Sequence, residues 1–337
     1  MVGNVRQWCS DWHGAYNPND TDNPKGAATG TARVLRGGAW DIGNTDYFRC
    51  AVRAMSEPAP AGGFHSFRVV FRASSQTTHS KEPPKPEVRG AVNPKDGAAL
   101  ASIPAGEFVM GEDDDAIRDY TLEGIHRNNP RHTVKLSGYY LYKNVVTVGQ
   151  YEAYCKAEGK QMPSAPPFNA GWAKKSFPIV RVTWDEARAY AKWAGGDLPS
   201  EAQWERAARG TDGRKFPWGD TFDSGKLWCS KEKTGDAGGT AEVGRYGFSP
   251  SGCSDMAGNV WQWCLDWYDA DYWKGRAVTG AADPVNLNFG LRKSRVLRGG
   301  SWYYFTDATF PCAGRMGYYP NNRSDDYGFR VALRALR

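Results

Sequence analysis

A ten-residue motif occurs twice in this chain and sets its organisation. The stretch Gly258-Asn259-Val260-Trp261-Gln262-Trp263-Cys264-Leu265-Asp266-Trp267 repeats Gly3-Asn4-Val5-Arg6-Gln7-Trp8-Cys9-Ser10-Asp11-Trp12 with an offset of 255 residues. Residues 295–302 then repeat residues 33–40 at seven of eight positions, with an offset of 262 residues. Internal similarity of this kind indicates that one structural unit is present in two copies. The first copy contains only the C-terminal part of that unit.

The repeat divides the chain into three parts. Residues 1–73 are predicted to form a partial repeat, and residues 92–337 are predicted to form a complete domain. Residues 74–91 between them are polar and contain Pro83-Pro84-Lys85-Pro86, which is typical of an extended linker. The length of 337 residues agrees with about two domains, at roughly 100 to 200 residues each.

Composition excludes several classes of protein. The 43 basic and 37 acidic residues leave a net charge of +6 without a basic run that could track phosphates, so we expect no nucleic-acid partner. No apolar run approaches the roughly 20 residues of a membrane span, so we expect no transmembrane segment. Seven cysteines without CxxC spacing predict neither a disulfide framework nor a zinc site. Aromatic residues make up 13% of the chain, which suits either a core or a binding surface.

Local signals predict an α+β domain with little regular secondary structure. Three helices should begin at capping boxes, in which a Ser or Thr side chain caps the third helical residue and the Glu or Gln there caps back. The predicted caps are Thr147, Thr183 and Ser200. Glycines that should end the helices follow at Gly159, Gly195 and Gly210. Strands are predicted at 107–110, within 133–148, at 296–297 and at 329–333, whereas about 211–294 should be irregular.

Several longer motifs occur in a fixed order and carry a family resemblance. They include Ile103 to Gly111, Pro178 to Trp184, Leu198 to Glu205, Phe216 to Gly219, Asp255 to Trp263 and Arg298 to Trp302. In this order they resemble the formylglycine-generating enzyme (sulfatase-modifying factor) family, whose fold is an elaborated C-type lectin fold. The resemblance covers about residues 92–337, and residues 1–73 resemble the tail of that family. It implies an α+β, formylglycine-generating-enzyme-type C-type lectin domain preceded by a partial repeat of its C-terminal part.

The resemblance does not extend to the chemistry of that family. Its enzymes use two cysteines after the Arg-Gly-Gly-Ser motif, whose thiolates bind copper, and copper(I) prefers such soft ligands. Here Tyr304 and Thr309 stand near those places. The nearby Cys312 has a counterpart, Cys50, in the partial repeat, which favours a packing role. We therefore expect no catalytic residues and no required cofactor. The alternative is an oxidase-family member with lost or altered chemistry.

The resemblance also implies one calcium site. In the similar enzymes the ion is held by a side-chain oxygen, two backbone carbonyls and a carboxylate around the Gly-Asn-Val motif. Transferred to this sequence, the ligands are Asp255, the carbonyls of Gly258 and Val260, and Gln262. Oxygen ligands suit calcium, but Gln in place of Glu removes a charge and should weaken binding. A structural Ca²⁺ and a loop held by hydrogen bonds alone remain the two interpretations.

The repeat also isolates a divergent segment near the C-terminus. The copies agree at five of eight positions across 328–335 but at only five of twenty-five across 303–327. The divergent segment is rich in Tyr, Asn, Ser and Asp, and it contains no Lys, Glu, Gln or Trp. An Asn codon randomised at its two adenines can encode Tyr, Asp, Ser, Phe, Gly or Asn, but none of those four residues and not Met. Only Met316 fails this test.

This bias resembles the variable proteins of bacterial diversity-generating retroelements. Those proteins use this lectin-like fold and mutate template adenines in a C-terminal segment that ends in Gly-Phe-Arg-Val, which Gly328-Phe329-Arg330-Val331 matches. Tyr-rich surfaces with Ser, Asn and Gly are also typical of antibody paratopes, because Tyr offers large contact area at low entropy cost. Trp302, Arg315, Arg323 and Phe329 should hold the frame. The predicted ligand-binding residues, expected to converge on one exposed patch, are Tyr303, Tyr304, Phe305, Gly314, Met316, Gly317, Tyr318, Tyr319, Asn321, Asn322, Ser324, Asp325, Asp326 and Tyr327.

The second resemblance implies a function in binding. We expect a non-catalytic protein that displays a diversified patch to an unknown macromolecular ligand, either a protein or a cell-surface target. The competing interpretation places the same aromatic residues in an ordinary core or substrate groove. Because such a patch must be exposed and the similar proteins are usually exported, we expect a location at the cell surface. If Met1 is the true start, a cytoplasmic location follows instead.

Overall fold

The structure is a computed structural model, and it consists of two compact units, Met1–Ser80 and Lys81–Arg337. The predicted linker, 74–91, lies outside the described residues. The residues that the structure describes are 6–15, 29–36, 53–57, 65–67, 92–112, 125–126, 130–230, 238–273, 282–288, 293–304 and 307–334.

The first unit contains one four-stranded sheet among its described residues. Its strands are β1 (Arg6–Trp12), β2 (Arg33–Arg36), β3 (Ala54–Ser56) and β4 (His65–Phe67), in the order β3-β2-β1-β4. β1 pairs antiparallel with β2 and parallel with β4.

The second unit combines small sheets with three α-helices. Its largest sheet has the order β13-β10-β11-β12-β7, and a three-stranded sheet has the order β14-β9-β5. The helices are α1 (Val148–Ala157), α2 (Trp184–Trp193) and α3 (Glu201–Arg209). The strands are β5 (Leu100–Ile103), β6 (Gly106–Met110), β7 (Ile125–His126), β8 (His132–Leu136), β9 (Tyr139–Tyr142), β10 (Trp261–Trp267), β11 (Arg295–Arg298), β12 (Arg315–Tyr318), β13 (Tyr327–Gly328) and β14 (Ala332–Arg334).

All three predicted helix starts are confirmed. Thr147, Thr183 and Ser200 each accept a hydrogen bond from the third helical residue, whose Glu or Gln side chain accepts one from the cap's backbone N–H. The predicted glycines follow each helix with a positive φ, which Gly adopts without a Cβ penalty. These signals are local, so neighbouring residues in the sequence suffice to predict them.

The prediction that 211–294 is irregular was wrong for β10. This strand is the second strand of the five-stranded sheet, with β13 on one side and β11 on the other. Its first four residues are all buried, including the indoles of Trp261 and Trp263. A strand covered on both faces lacks the alternation of apolar and polar residues by which half-buried strands are recognised.

The strand predicted at 329–333 is also shorter than expected. Only β14 forms a strand there, and the residues before it form single backbone hydrogen bonds with the end of β9 and with the loop that follows β9. The carbonyls of Phe329 and Val331 accept hydrogen bonds from the N–H groups of Val146 and Tyr142, both at 2.9 Å. Residues 329–331, just after the divergent segment, are therefore hydrogen-bonded to β9 and to the loop before α1.

The two copies of the repeat form the same sheet. Gln7 pairs with Arg36 in the first unit as Gln262 pairs with Arg298 in the second, and both strand pairs carry the same register shift before their final Trp. The β3–β2 register equals the β12–β11 register, and the parallel pairing of β1 with β4 equals that of β10 with β13. The sequence repeat is thus a structural repeat of four strands.

Buried ion pairs attach this sheet to α3 in the second unit. Arg315 of β12 donates two hydrogen bonds of 2.7 Å to the carboxylate of Glu201. Arg298 of β11 donates to Glu205, one turn further along α3. All four side chains are buried, and a buried charge of this kind needs a paired, hydrogen-bonded partner. The strand before the divergent segment, β11, and the strand within it, β12, are therefore both fixed to the helix.

Candidate functional site

A cavity of about 830 Å³ is built almost wholly from the C-terminal segment of the second unit. Its volume falls in the range of roughly 300 to 1,000 Å³ that is usual for small-molecule pockets. Twelve residues in the described part of the chain line it, of which ten lie between 302 and 327 and two come from the region before α2. The lining residues are Ser164, Arg181, Trp302, Tyr303, Tyr304, Met316, Tyr318, Arg323, Ser324, Asp325, Asp326 and Tyr327.

Aromatic rings form a connected wall of this cavity. Trp302 contacts Tyr303 edge to face, and Tyr303 contacts Tyr304 in the same way, each with ring centres 5.8 Å apart. Tyr318 and Tyr327 form a further pair at 5.6 Å. Edge-to-face contacts of this kind are the preferred geometry of aromatic pairs.

The inner end of the wall is anchored in the core. Tyr304 packs edge to face on Trp261 at 5.8 Å, and Tyr327 packs on Trp263 at 5.5 Å. Both tryptophans belong to β10 and are fully buried. Strand β10, which the sequence did not predict, therefore supports the floor of the cavity.

Two ion pairs hold the chain on the opposite side. The guanidinium of Arg181 forms a two-pronged hydrogen bond with the carboxylate of Asp325. Arg323 donates to the carbonyl of Arg181 at 2.7 Å and to Glu186 of α2 at 2.6 Å. Burial would raise the pKa of Glu186, but the hydrogen bond from Arg323 and the helix-cap hydrogen bonds from Thr183 lower it. These contacts fix 323–325 against the start of α2.

Arg181 holds an unusual backbone conformation at this point. Its φ is 60°, in the left-handed region that a residue with a Cβ seldom adopts. Its N–H donates to the carbonyl of Ser324 at 3.0 Å, and its guanidinium also contacts the carbonyl of Ala165 at 3.1 Å. Strain of this kind persists only where surrounding contacts enforce it. The contacts around Arg181 supply that constraint and direct its side chain toward Asp325.

Asp326 differs from the other charged residues of the cavity. Its side chain is buried, and its carboxylate accepts hydrogen bonds from the hydroxyl groups of Ser301 (2.7 Å) and Ser324. Its backbone carbonyl accepts from the N–H of Trp261 at 2.8 Å. Burial raises the pKa of Asp326, and the two serine hydroxyl groups only partly offset that effect.

The structure places the fourteen predicted ligand-binding residues in four settings, one of which is Gly314, buried outside the lining. Eight of them line the cavity, and Phe305 lies outside the described residues. Tyr303 and Tyr319 are 59% and 58% exposed, and Tyr318 is 36% exposed. Residues on or near the surface but outside the lining are Gly317, Tyr319, Asn321 and Asn322.

The expectation that all fourteen residues share one exposed patch was wrong for four of them. Gly314, Met316, Asp326 and Tyr327 are buried. Met316 lies in β12 and pairs with Leu297 of β11, so its side chain belongs to the core. Two strands of the five-stranded sheet, β12 and β13, lie within the divergent segment and at its end. Their pairing turns the side chains of Met316 and Tyr327 inward.

Space around two glycines also limits what the segment can vary. A Cβ at Gly317 would lie 2.4 Å from the ring of Tyr268, which real Cβ contacts do not allow. A Cβ at Gly314 would lie 3.0 Å from the carbonyl oxygen of Pro311. Gly317 is therefore required by close packing, whatever its codon allows.

The predicted frame residues divide into two groups. Arg315 and Phe329 are buried and hold the frame as expected. Trp302 and Arg323 instead line the cavity, although Trp302 also donates to the carbonyl of Asp325 at 3.2 Å. Sequence reasoning missed Arg181 as a lining residue. Its position inside the Pro178 to Trp184 motif, next to a helix cap, was the available signal.

The described residues that line this cavity include neither Cys nor His. Tyr304 lines it and Thr309 is buried, at the places where the resemblance would put the paired cysteines. Cys312 is fully buried, and burial raises its pKa to about 12. Its thiol is therefore protonated at neutral pH and packs in the core.

The proposed calcium ligand Asp255 is already hydrogen-bonded within its own loop. Its carboxylate accepts from the N–H of Gly244 (2.9 Å), the hydroxyl of Ser254 (3.0 Å) and the side-chain amide of Asn259 (3.3 Å). Burial raises the pKa of Asp255, against the smaller opposing effect of these hydrogen bonds. The carboxylate thus has a full set of protein donors.

The side-chain oxygen of Gln262 is also occupied by protein hydrogen-bond donors, which argues more strongly against a calcium ligand. Its Oε1 accepts hydrogen bonds from the indole of Trp204 (2.7 Å) and the guanidinium of Arg330 (2.6 Å), and its Nε2 donates to the carbonyl of Asp255 (2.6 Å). The oxygen that a calcium ion would need is occupied by two donors, one of them cationic. The side chains of Asp255 and Gln262, with the backbone of Gly258 and Val260, therefore fit a hydrogen-bonded turn and do not fit a calcium ion. No cluster of three or more His, Cys, Asp or Glu suited to a metal occurs among the described residues.

Comparison with known proteins identifies relatives with different properties. The family profile described as sulfatase-modifying factor enzyme 1-like domain matches residues 1–73 and 87–335. The formylglycine-generating enzyme of Streptomyces coelicolor is 32% identical over 298 residues, covering 72% of this chain and 91% of that protein. The inactive C-alpha-formylglycine-generating enzyme 2 of Bos taurus is 38% identical over 180 residues, covering 49% of this chain and 52% of that protein.

Two solved structures share the fold. PvdO from Pseudomonas aeruginosa matches with a TM-score of 0.58 and 25% identity, covering 72% of this chain and 97% of that one. Treponema denticola variable protein 1 matches with a TM-score of 0.54 and 25% identity, covering 71% of this chain and 95% of that one. The predicted α+β fold is thereby confirmed. None of the helices in the described part of the chain is long and apolar enough to cross a membrane.

Proposed function

The chain belongs to the sulfatase-modifying factor enzyme 1-like family, and we propose that it uses this scaffold to bind a ligand rather than to oxidise a cysteine. The observation that carries this proposal is the composition of the cavity. Of the twelve described residues that line it, ten come from 302–327, and none is a Cys or a His. A thiolate pair for copper therefore has no place in its wall.

Relatives of both kinds exist in this family, so membership alone does not assign an activity. Proteins named formylglycine-generating enzyme and inactive C-alpha-formylglycine-generating enzyme are both similar to this chain. The residues that we expect to decide between them are Tyr304 and Thr309, since the family resemblance puts both near the places of the paired cysteines. An oxidase with altered chemistry remains the second candidate, and the similarity to the Streptomyces coelicolor enzyme is what favours it.

We further propose that 303–327 is the diversified segment of a variable protein of a diversity-generating retroelement. The adenine-compatible residue content of the segment supports this assignment, as does the similarity to Treponema denticola variable protein 1. Tyr303 and Tyr319, both more than half exposed, extend the aromatic surface beyond the cavity. Rigid, exposed aromatic side chains suit recognition of a protein, because a few of them can carry most of the binding energy. Such a surface acts outside the cell, so we propose export to the cell surface.

Sequencing of the source organism tests the diversification directly. We expect a near-identical template next to the gene that differs from the 303–327 codons only at adenines. In a population of cells, substitutions should concentrate at exposed positions such as Tyr303, Tyr319 and Asn321. Codons for the buried Arg315 and Phe329 should stay constant and serve as the internal control. A segment with no template and no variation among cells would overturn this part of the proposal.

An activity assay tests the remaining alternative. The purified chain should not convert the cysteine of a sulfatase peptide to formylglycine, with copper supplied and with the Streptomyces coelicolor enzyme as positive control. Mass spectrometry and aldehyde-specific labelling follow the product. Aldehyde that accumulates with time in the presence of this chain would establish oxidase activity and reject the binding-only function.

A further inference from the structure

We propose that the cavity takes an organic cation, a guanidinium or alkylammonium group, with Asp326 as its counter-charge and the aromatic wall around it. This inference deepens the proposed binding function and rests on it. It follows from the charges that the cavity leaves unpaired and from the side chains that surround them.

The charges around the cavity leave one carboxylate without a cation. Arg181 is paired with Asp325, and Arg323 is paired with Glu186. The carboxylate of Asp326 accepts hydrogen bonds from two serine hydroxyl groups and from its own backbone N–H, and no Lys or Arg in the described part of the chain forms an ion pair with it. Among these described groups, the carboxylate of Asp326 is therefore the one that, when ionised, has no cation paired with it.

The position of Asp326 makes this charge costly in the free protein. The side chain is more than nine-tenths buried, and a buried carboxylate without a cation loses the stabilisation that water would give it. Burial accordingly raises its pKa. A cation that enters the cavity would give the carboxylate a partner at a buried position, where the attraction between charges is stronger than in water.

The surrounding aromatic residues favour the same chemistry. Trp302, Tyr303, Tyr304, Tyr318 and Tyr327 all line the cavity. Aromatic faces attract Arg, Lys and quaternary ammonium groups through the ring quadrupole, and Trp and Tyr do so best. A neutral sugar or an acidic group would gain less from this combination of rings and an unpaired carboxylate.

The same cation could reach the cavity from two sources. An Arg or Lys side chain of a partner protein could insert beneath the exposed rim formed by Tyr303 and Tyr318, or a free amine could bind alone. Both use one chemistry, and the length of the probe separates them. The cavity volume of about 830 Å³ is large enough for a whole basic side chain.

Isothermal titration calorimetry of the full chain tests the proposal with isosteric probes. N-acetyl-arginine amide should bind at least about tenfold more tightly than N-acetyl-citrulline amide, which has the same shape without the charge; this ratio corresponds to about 1.4 kcal/mol. A pentapeptide with central arginine and its citrulline twin form the second arm. If the arginine pentapeptide binds more tightly than N-acetyl-arginine amide, the source is a protein side chain. If the two arginine probes bind with equal affinity, the source is a small amine.

Variants then locate the counter-charge. Asp326→Asn keeps the shape of the side chain and should remove the preference for arginine over citrulline. Glu158→Gln removes the same charge from an exposed residue outside the cavity lining and should leave the preference intact. Circular dichroism checks that Asp326→Asn folds; if it does not, the comparison of probes on the wild-type chain decides alone.

Two results would overturn the inference. Arginine and citrulline probes that bind equally, or that both fail to bind, would show that the cavity does not select a cation. An arginine preference that survives in folded Asp326→Asn would remove Asp326 from the site. Neither result touches the codon variation expected in 303–327, so the binding function and the cation inference fail separately.

Discussion

Truncating Tyr327 should destabilise the fold strongly, whereas truncating Tyr319 in the same segment should leave the stability almost unchanged. Tyr319 is 58% exposed, whereas Tyr327 is 6% exposed and packs on Trp263 at 5.5 Å and on Tyr318 at 5.6 Å. Tyr319→Ser and Tyr327→Ser are therefore a matched pair: the chemistry of the substitution is the same, and only the surroundings differ. Both codons lie in the segment that we propose to be diversified.

The expected magnitudes follow from burial. Removing a large buried aromatic side chain costs about 3 to 5 kcal/mol, because the lost contacts and the remaining cavity both destabilise the fold. For a unit of this size each kcal/mol lowers the melting temperature by about 2 to 4 °C, so Tyr327→Ser should melt roughly 6 to 20 °C lower. A surface substitution stays within about 0.5 kcal/mol, so Tyr319→Ser should melt within about 2 °C of the parent chain.

Scanning calorimetry of the parent chain and both variants measures this difference. Circular dichroism at low temperature confirms that each variant begins folded. Equal melting temperatures for the two variants, or a large decrease for Tyr319→Ser, would mean that the segment packs differently from the structure described above. The division between exposed and buried positions, and with it the proposed binding face, would then be wrong.

Three further predictions test other parts of the structure. Gly317→Ser should lower the unfolding free energy by about 1 to 3 kcal/mol through the clash with Tyr268, measured by denaturant unfolding, although its codon permits the change. Burial, and then the charge of Glu201, raise the pKa of Asp266 to about 7. Its stabilising contribution should be complete below about pH 4 and lost as the pH rises through 7, so Asp266→Asn should flatten the fall in unfolding free energy between pH 4 and 7; an unchanged slope would contradict this assignment. Calcium at millimolar concentration should leave the melting temperature of the parent chain unchanged, and a rise that Asp255→Ala abolishes would restore the calcium site.

Features with local causes could be predicted from the sequence. Each capping box is formed by residues three apart, so Thr147, Thr183 and Ser200 identify their helices without any knowledge of the fold. The repeat likewise indicates that residues 1–73 and the C-terminal part of 92–337 share one structural unit, because both copies keep a pattern that unrelated segments would not preserve, although the sequence did not predict the strand β10 within that unit. These inferences need only residues that are adjacent or aligned.

Features with distant causes could not be predicted. Tyr327 and Asp326 look like the neighbouring polar and aromatic residues, and only the pairing of β13 with β10, more than sixty positions earlier, turns them inward. Arg181 joins the cavity because its ion pair reaches Asp325, 144 residues later. The sequence shows which residues are aromatic or charged, but it does not show which of them contact each other. Burial and charge pairing depend on the completed sheet.

A chain that carries one sheet twice offers each strand two partners while it folds. β1 and β10 present the same register to β2 and β11, so an exchanged pairing would satisfy the same backbone hydrogen bonds. Misassembly between related units is a common failure of repeat proteins during refolding. Arg6 and Ser10 stand in β1 where β10 has Trp261 and Leu265. These polar substitutions act against strand exchange, because β1 in the place of β10 would bury them in a position that the second unit fills with apolar side chains.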